Sequence, residues 1–211
     1  MTISNKRTTT TLFSDPLCPV CHRTRIVIAE KNIPIDIINV DPNNPPEELI
    51  LLNPYNSVPT LIDRDLTLYE SKVIMEYFDE RFPHPPLMPI DPISRARIRL
   101  TLHRVDLEWY RLLGSHPYFN ISLKARKALA EDLTILSPVF ERAHFFMSEE
   151  FSLLDAALGA LLWRLPVLEI KLPSQAKFIE SYANRIFSRD SFQRSLSDAE
   201  REMRSEVVGI T

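Results

Sequence analysis

The sequence predicts an α/β unit followed by an all-helical one, joined by a rigid connector. Three observations carry this. Short β-branched runs alternate with helical patterns as far as Phe82; four prolines crowd into Pro83–Pro89; beyond them the apolar residues recur at helical spacing. The expected boundaries are 9–82 for the α/β domain, 83–92 for the connector, 93–197 for the helical domain and 198–211 for a polar, poorly ordered tail.

Thr9–Ser14, rich in Thr and Phe, reads as a strand, and a helix follows from about Pro19 to Lys31 with Ile26, Val27 and Ala29 on its apolar side. Ile35–Val40 is a second β-branched run. Strand, helix, strand implies a parallel pair with a crossover helix. After the turn-forming Asp41-Pro-Asn-Asn-Pro-Pro comes a short helix, Glu47–Leu52. Thr60–Ile62 and Thr67–Leu68 flank Asp63-Arg-Asp65 as a hairpin, and Glu70–Phe82 forms a helix carrying Val73, Ile74, Tyr77 and Phe78. The order is βαβαββα.

In the helical half, Ile98, Leu102, Val105, Trp109 and Leu112 make one buried stripe, facing neighbouring helices or a second subunit. Leu123–Phe146 is expected to break at Pro138. Ser152 and Asp155 have capping-box spacing ahead of Ala156–Trp163, whose apolar composition marks the central helix. Both polar residues are read as folding determinants.

Composition excludes several functions. The chain has 211 residues, 45% of them hydrophobic, so it can bury a large core. Its three glycines, Gly114, Gly159 and Gly209, lie far apart, which rules out a glycine-rich phosphate cradle or dinucleotide fingerprint. The net charge of −3 divides into 8 Lys+Arg against 12 Asp+Glu in residues 1–82, and 17 against 16 in residues 83–211. Neither half is a basic platform for duplex phosphates, so any action on genes would need a protein intermediary. Arg95, Arg97, Arg99 and Arg104 read as a solvated helix face rather than a contact patch. Met1–Thr10 lacks a secretory apolar region, and no apolar run approaches the roughly 20 residues of a membrane span, so a cytosolic location is expected.

Cys18 and Cys21, the only cysteines, lie where the first strand hands over to the first helix. There Cys18 takes the N-cap position with Pro19 as first helical residue, and free backbone N–H groups favour its thiolate. Cys18 is therefore a candidate nucleophile and Cys21 a candidate resolving thiol. The plainer alternative is two small apolar residues packed under the sheet. With His22 they do not make four zinc ligands, and no metal site is expected. Val58-Pro59, just before a strand, suits a cis peptide. Glu70-Ser71 opens a helix whose N-terminus could hold a small carboxylate, simple capping being the preferred alternative. Pro83, His84, Pro85 and Pro86 form either a rigid linker or a docking surface.

Taken together, the element order, Cys18-Pro-Val-Cys21, Val58-Pro59, Glu70-Ser71 and the Ser152–Asp155 cap resemble the glutathione S-transferase superfamily. That resemblance implies a thioredoxin-like N-terminal domain, a helical C-terminal domain and a symmetric homodimer. Asn5-Lys-Arg7, Ser57-Val-Pro-Thr-Leu61, Ile74-Met-Glu-Tyr77, Asp79–Pro89, Leu161–Pro166, Arg189–Phe192 and Ala199–Arg204 are more closely similar to the bacterial stringent starvation protein A family. This closer likeness implies an RNA polymerase-associated regulator of stationary-phase or stress response. It would lack transferase activity and cofactor, and would act through the surface at Pro83–Pro86. The cysteine pair departs from that family's pattern and is similar to thiol-transferase branches of the superfamily. The alternative is thus a glutathione-dependent enzyme with Cys18 as nucleophile and Val58, Pro59, Glu70 and Ser71 holding the tripeptide.

Overall fold

A computed structural model describes residues 9–113 and 121–209; Asn5-Lys-Arg7 and Gly114 lie outside the described residues. The first half holds β1 (Thr11–Ser14), α1 (Pro19–Glu30), β2 (Asp36–Asn39), α2 (Glu47–Leu52), β3 (Thr60–Asp63), β4 (Leu66–Tyr69) and α3 (Ser71–Arg81). The expected βαβαββα order is present, with strand ends moved by one or two residues. The sheet order is β2-β1-β3-β4. β1 runs parallel to β2, with Thr11 opposite Asp36, and antiparallel to β3, with Leu12 opposite Leu61.

The two central strands, β1 and β3, are buried throughout, whereas the edge β2 is largely exposed and the edge β4 mostly half-buried. Alternation along β1 and β3 divides the core. Leu12 and Leu61 join a large cluster with Ile26, Val27, Ile74 and Phe78 that continues into the helical half, while Phe13 and Ile62 meet Val40 and Leu49 in a smaller one.

The second half contains α4 (Pro92–Glu108), α5 (Leu123–Leu136), α6 (Leu153–Leu162), α7 (Lys177–Phe187), α8 (Asp190–Ser195) and α9 (Asp198–Val208). Asp91 caps α4 by accepting from the Ser94 N–H at 2.7 Å, with Pro92 as first helical residue. The stripe is buried as expected but outruns α4: Leu102, Val105 and the C-cap Trp109 are buried and Ile98 is half-buried, while Leu112, also half-buried, falls in a 3₁₀ turn at Tyr110–Leu113. The break at Pro138 is sharper than expected, because α5 ends at Leu136, a 3₁₀ turn follows at Ser137–Val139, and no helix resumes before Leu153.

The capping box of α6 is present. Ser152 Oγ accepts from the Leu154 N–H at 3.3 Å and Asp155 accepts from the Ser152 N–H at 2.8 Å. The Asp155 carboxylate also accepts from the Phe146 N–H and the Tyr182 hydroxyl, so the cap ties three segments together. Every residue of α6 is buried, and α1 packs against it, α8 and α3.

One expectation fails. The polar tail from residue 198 is the helix α9, opened by a second capping box, Ser197 with Glu200, and closed by Gly209 in the left-handed region at φ +70°. Glu200 is fully buried, because it answers guanidinium groups inside the molecule.

Candidate functional site

The turn from β1 into α1 is built by Asp15, whose Oδ1 accepts from the N–H groups of Leu17 at 2.7 Å and Cys18 at 3.2 Å. This Asx-type turn delivers Cys18 to the N-cap of α1, with Pro19 next, as the sequence predicts. Cys21 Sγ, one helical turn on, accepts from the Asp15 N–H at 3.4 Å. The helical half closes over the turn from outside. Arg164, just past the end of α6, donates to the Leu17 carbonyl at 2.8 and 3.3 Å, and Ser197 Oγ donates to the Pro16 carbonyl at 2.7 Å.

Both cysteines are free thiols, with 7% of Cys18 and none of Cys21 exposed. The Cys18 thiol is lowered to about 6, first because the Cys21 side chain hydrogen-bonds to it and also through the backbone N–H groups of Cys21 and Val20; burial and the Asp15 carboxylate push the other way. Cys21 is raised well above its ordinary value, by burial first and then by its role as donor to Cys18. Near neutral pH the pair is therefore one thiolate held by one thiol. Chemically that is an activated nucleophile with a small opening to solvent.

The Val58–Pro59 peptide is cis, as expected, with Val58 half-buried and Pro59 buried. Glu70 is exposed with φ +73°, and its side chain caps nothing, contrary to the simple capping reading. Ser71 is the first residue of α3, and its buried hydroxyl accepts from Arg23 Nε at 2.9 Å and Nη2 at 2.6 Å. Arg23 also donates to Asp106 of α4 at 2.5 Å and stacks on the Tyr110 ring at 4.7 Å. The helix that presents Cys18 is thus the one that holds Ser71 in place. Sequence reasoning assigned Arg23 no role, because its partners lie 48 and 83 positions away.

Pro83, His84, Pro85 and Pro86 are all exposed, between the half-buried Phe82 and the buried Leu87 and Met88. Beneath them sits Lys31, whose side chain is fully buried and whose ammonium donates to the Phe82 carbonyl at 2.6 Å and the Pro85 carbonyl at 2.7 Å. It also meets Asp79 Oδ1 at 2.8 Å, and that oxygen accepts from the Leu87 N–H at 2.8 Å. The His84–Pro85 peptide is cis.

A buried charge cluster, also missed from sequence, joins the two halves. Glu200 pairs with Arg25 at 2.7 Å and with Arg164, and Arg25 further donates to Ser14 Oγ at 2.6 Å and the Ser195 carbonyl at 3.1 Å. His22 bonds to Arg164 at 3.0 Å and Ser195 at 3.1 Å. Burial pushes the Glu200 carboxyl up, but His22, Arg164, Arg25 and the Ser197 N–H together hold it at about 2. Burial also holds His22 uncharged, well below its ordinary value, so near neutrality Glu200 answers two guanidiniums beside a neutral ring.

Two surfaces remain. The arginines of α4 pair outward, Arg95 with Glu80, Arg99 with Glu76 and Arg104 with Glu108, as a solvated face would. Between α3, β4 and α4 runs a groove of about 550 Å³ lined by Leu66, Leu68, Val73, Tyr77, Arg99 and Leu102. Among the described residues no helix is long and apolar enough to cross a membrane.

Residues 12–86 match the family described as glutathione S-transferase, N-terminal domain. Over 211 residues the chain is 47% identical to the stringent starvation protein A homolog of Coxiella burnetii, covering 97% of this chain and 99% of that protein. It is 45% identical to the homolog of Haemophilus ducreyi, covering 93% and 94%. Among solved structures, a delta-class glutathione transferase of Nilaparvata lugens superposes with a TM-score of 0.82 at 22% identity, covering 96% of this chain and all of that one, which is a likeness of fold.

Proposed function

Because the chain belongs to the stringent starvation protein A family, built on the glutathione S-transferase fold, we propose that it is a transcription regulator that docks on RNA polymerase through Pro83, His84, Pro85 and Pro86. It acts in stationary-phase or stress response in the cytosol, without catalysis and without a cofactor. The observation that carries this reading is the Pro83–Pro86 surface: four consecutive exposed residues on a fully satisfied buried base, while the thiol turn is nearly closed. A proline-held segment loses little conformational entropy when a partner docks. The protein works as a homodimer, for which the groove beside Val73 and the exposed Ile93, Leu100 and Leu107 of α4 supply an apolar face.

A second reading is favoured by the lowered Cys18 thiol: a glutathione-dependent thiol transferase with Cys18 as nucleophile, Cys21 as resolver, and Val58, Pro59, Glu70 and Ser71 around the tripeptide. Binding of purified polymerase holoenzyme to three proteins separates the two. If the regulator reading holds, the Pro83→Ala/His84→Ala/Pro85→Ala variant stays folded and loses binding, and Cys18→Ser binds as wild type. Retained binding by the triple variant refutes docking. Thiol-transfer turnover with glutathione that Cys18→Ser abolishes would establish the enzyme.

A further inference from the structure

The exposed segment has an unusual backbone problem. Three of its four residues are proline, so only His84 offers an N–H, and the segment cannot be fastened by donors of its own. The fold fastens it by its carbonyls instead. A lysine ammonium has three donors, and Lys31 directs one to the Phe82 carbonyl just before the segment, one to the Pro85 carbonyl within it, and one to Asp79. Asp79 passes the grip on to the Leu87 N–H just after the segment, and the Leu87 carbonyl accepts from the Leu153 N–H at the start of α6 at 3.0 Å. One side chain at the end of α1 thereby controls both ends of the surface without being exposed itself.

We propose that Lys31 is a positioning residue for docking: it fixes the conformation in which Pro83–Pro86 meets the polymerase and does not touch the partner. The proposal rests on the docking reading above. Arginine cannot replace it, because a planar guanidinium fork does not reach three acceptors spread around a compact ammonium.

The test compares wild type, Lys31→Met/Asp79→Asn and Lys31→Arg with Leu129→Ala, a core truncation in α5 that lowers stability far from the segment. The double variant removes the ammonium and the buried carboxylate together while keeping an acceptor for the Leu87 N–H. Amide hydrogen exchange at Leu87 and binding of purified holoenzyme are measured below every variant's melting temperature. In the double variant the Leu87 amide exchanges roughly tenfold faster with α6 amides unchanged, and binding weakens by about tenfold, since the partner must now order the segment. Leu129→Ala binds as wild type. Should the double variant not fold, Lys31→Arg is read on the same scale. Wild-type exchange at Leu87, or wild-type binding despite faster exchange, overturns the proposal. Leu129→Ala losing binding equally would reduce Lys31 to general stability. Wild-type binding by the triple alanine variant would instead strike the docking reading, with exchange still reporting whether Lys31 orders the segment.

Discussion

Replacing Glu200 with glutamine keeps the side-chain shape and removes the charge shared by Arg25 and Arg164, which are 5% and 1% exposed. Two routes give the size of the loss. A carboxyl held at about 2 instead of 4.5 corresponds, at ~1.36 kcal/mol per pKa unit, to about 3 kcal/mol. Removing one partner of a buried ion pair costs ~3–5 kcal/mol in general. With ~2–4 °C per kcal/mol for a chain of this size, melting should fall by roughly 6–20 °C. Calorimetry or urea unfolding at pH 7 measures it. Because Arg164 and Ser197 also hold the turn before Cys18, alkylation of Cys18 should accelerate in the same variant. A loss under ~1 kcal/mol, the size of an exposed pair, would refute the argument that this cluster joins the halves. The pH dependence follows from the same groups. Glu200 has a folded-state value below its unfolded one, so its contribution is complete above about 4.5 and lost as pH falls toward about 2. His22 is likewise depressed and begins to cost stability as pH drops below its ordinary 6.5. Wild type should weaken in two acid steps, and Glu200→Gln should lack the lower one.

Cys18 should react with iodoacetamide far faster than Cys21, with a rate that rises through a midpoint near pH 6; equal slow labelling would make both thiols structural. In Gly159→Ala the new Cβ would lie 2.8 Å from Ile186 Cγ2 and 3.2 Å from Phe192, so overpacking of ~1–3 kcal/mol should exceed the ~1 kcal/mol gained in helix propensity and lower the melting temperature. Val73→Asp, which charges the groove between α3 and α4, should convert a dimer to a monomer by size-exclusion chromatography with light scattering, and an unchanged mass would move the interface elsewhere.

Local signals located what local physics determines. Pro19 marks a helix start and Pro138 a break, Ser152 and Asp155 mark a cap, and β-branched runs mark strands within two residues. The same capping spacing at Ser197 and Glu200 was available to identify α9, but its Asp-Ala-Glu-Arg-Glu face has no apolar stripe and so reads as tail. Lys31, Arg23, Arg25 and Arg164 were illegible for a different reason. Long charged residues usually sit in solvent, and nothing in their own neighbourhoods announces acceptors whose farthest members lie 54, 83, 175 and 147 positions away. The exposed prolines were visible because proline's constraint is intrinsic, whereas the residue that holds them belongs to another element.

The Arg25–Glu200 pair spans 175 residues, and that separation bears on biosynthesis. At ~5–20 residues per second, a ribosome needs about 9–35 s to go from one partner to the other. All four strands are complete once Tyr69 has been added, yet Arg25, the Pro16 carbonyl and the Leu17 carbonyl still await residues 164, 197 and 200. The nascent thioredoxin-like half therefore carries an unneutralised guanidinium on the very face that must pack inward, and cannot complete its burial alone. The packing of the two halves against each other is therefore expected to be completed only once α9 has been made.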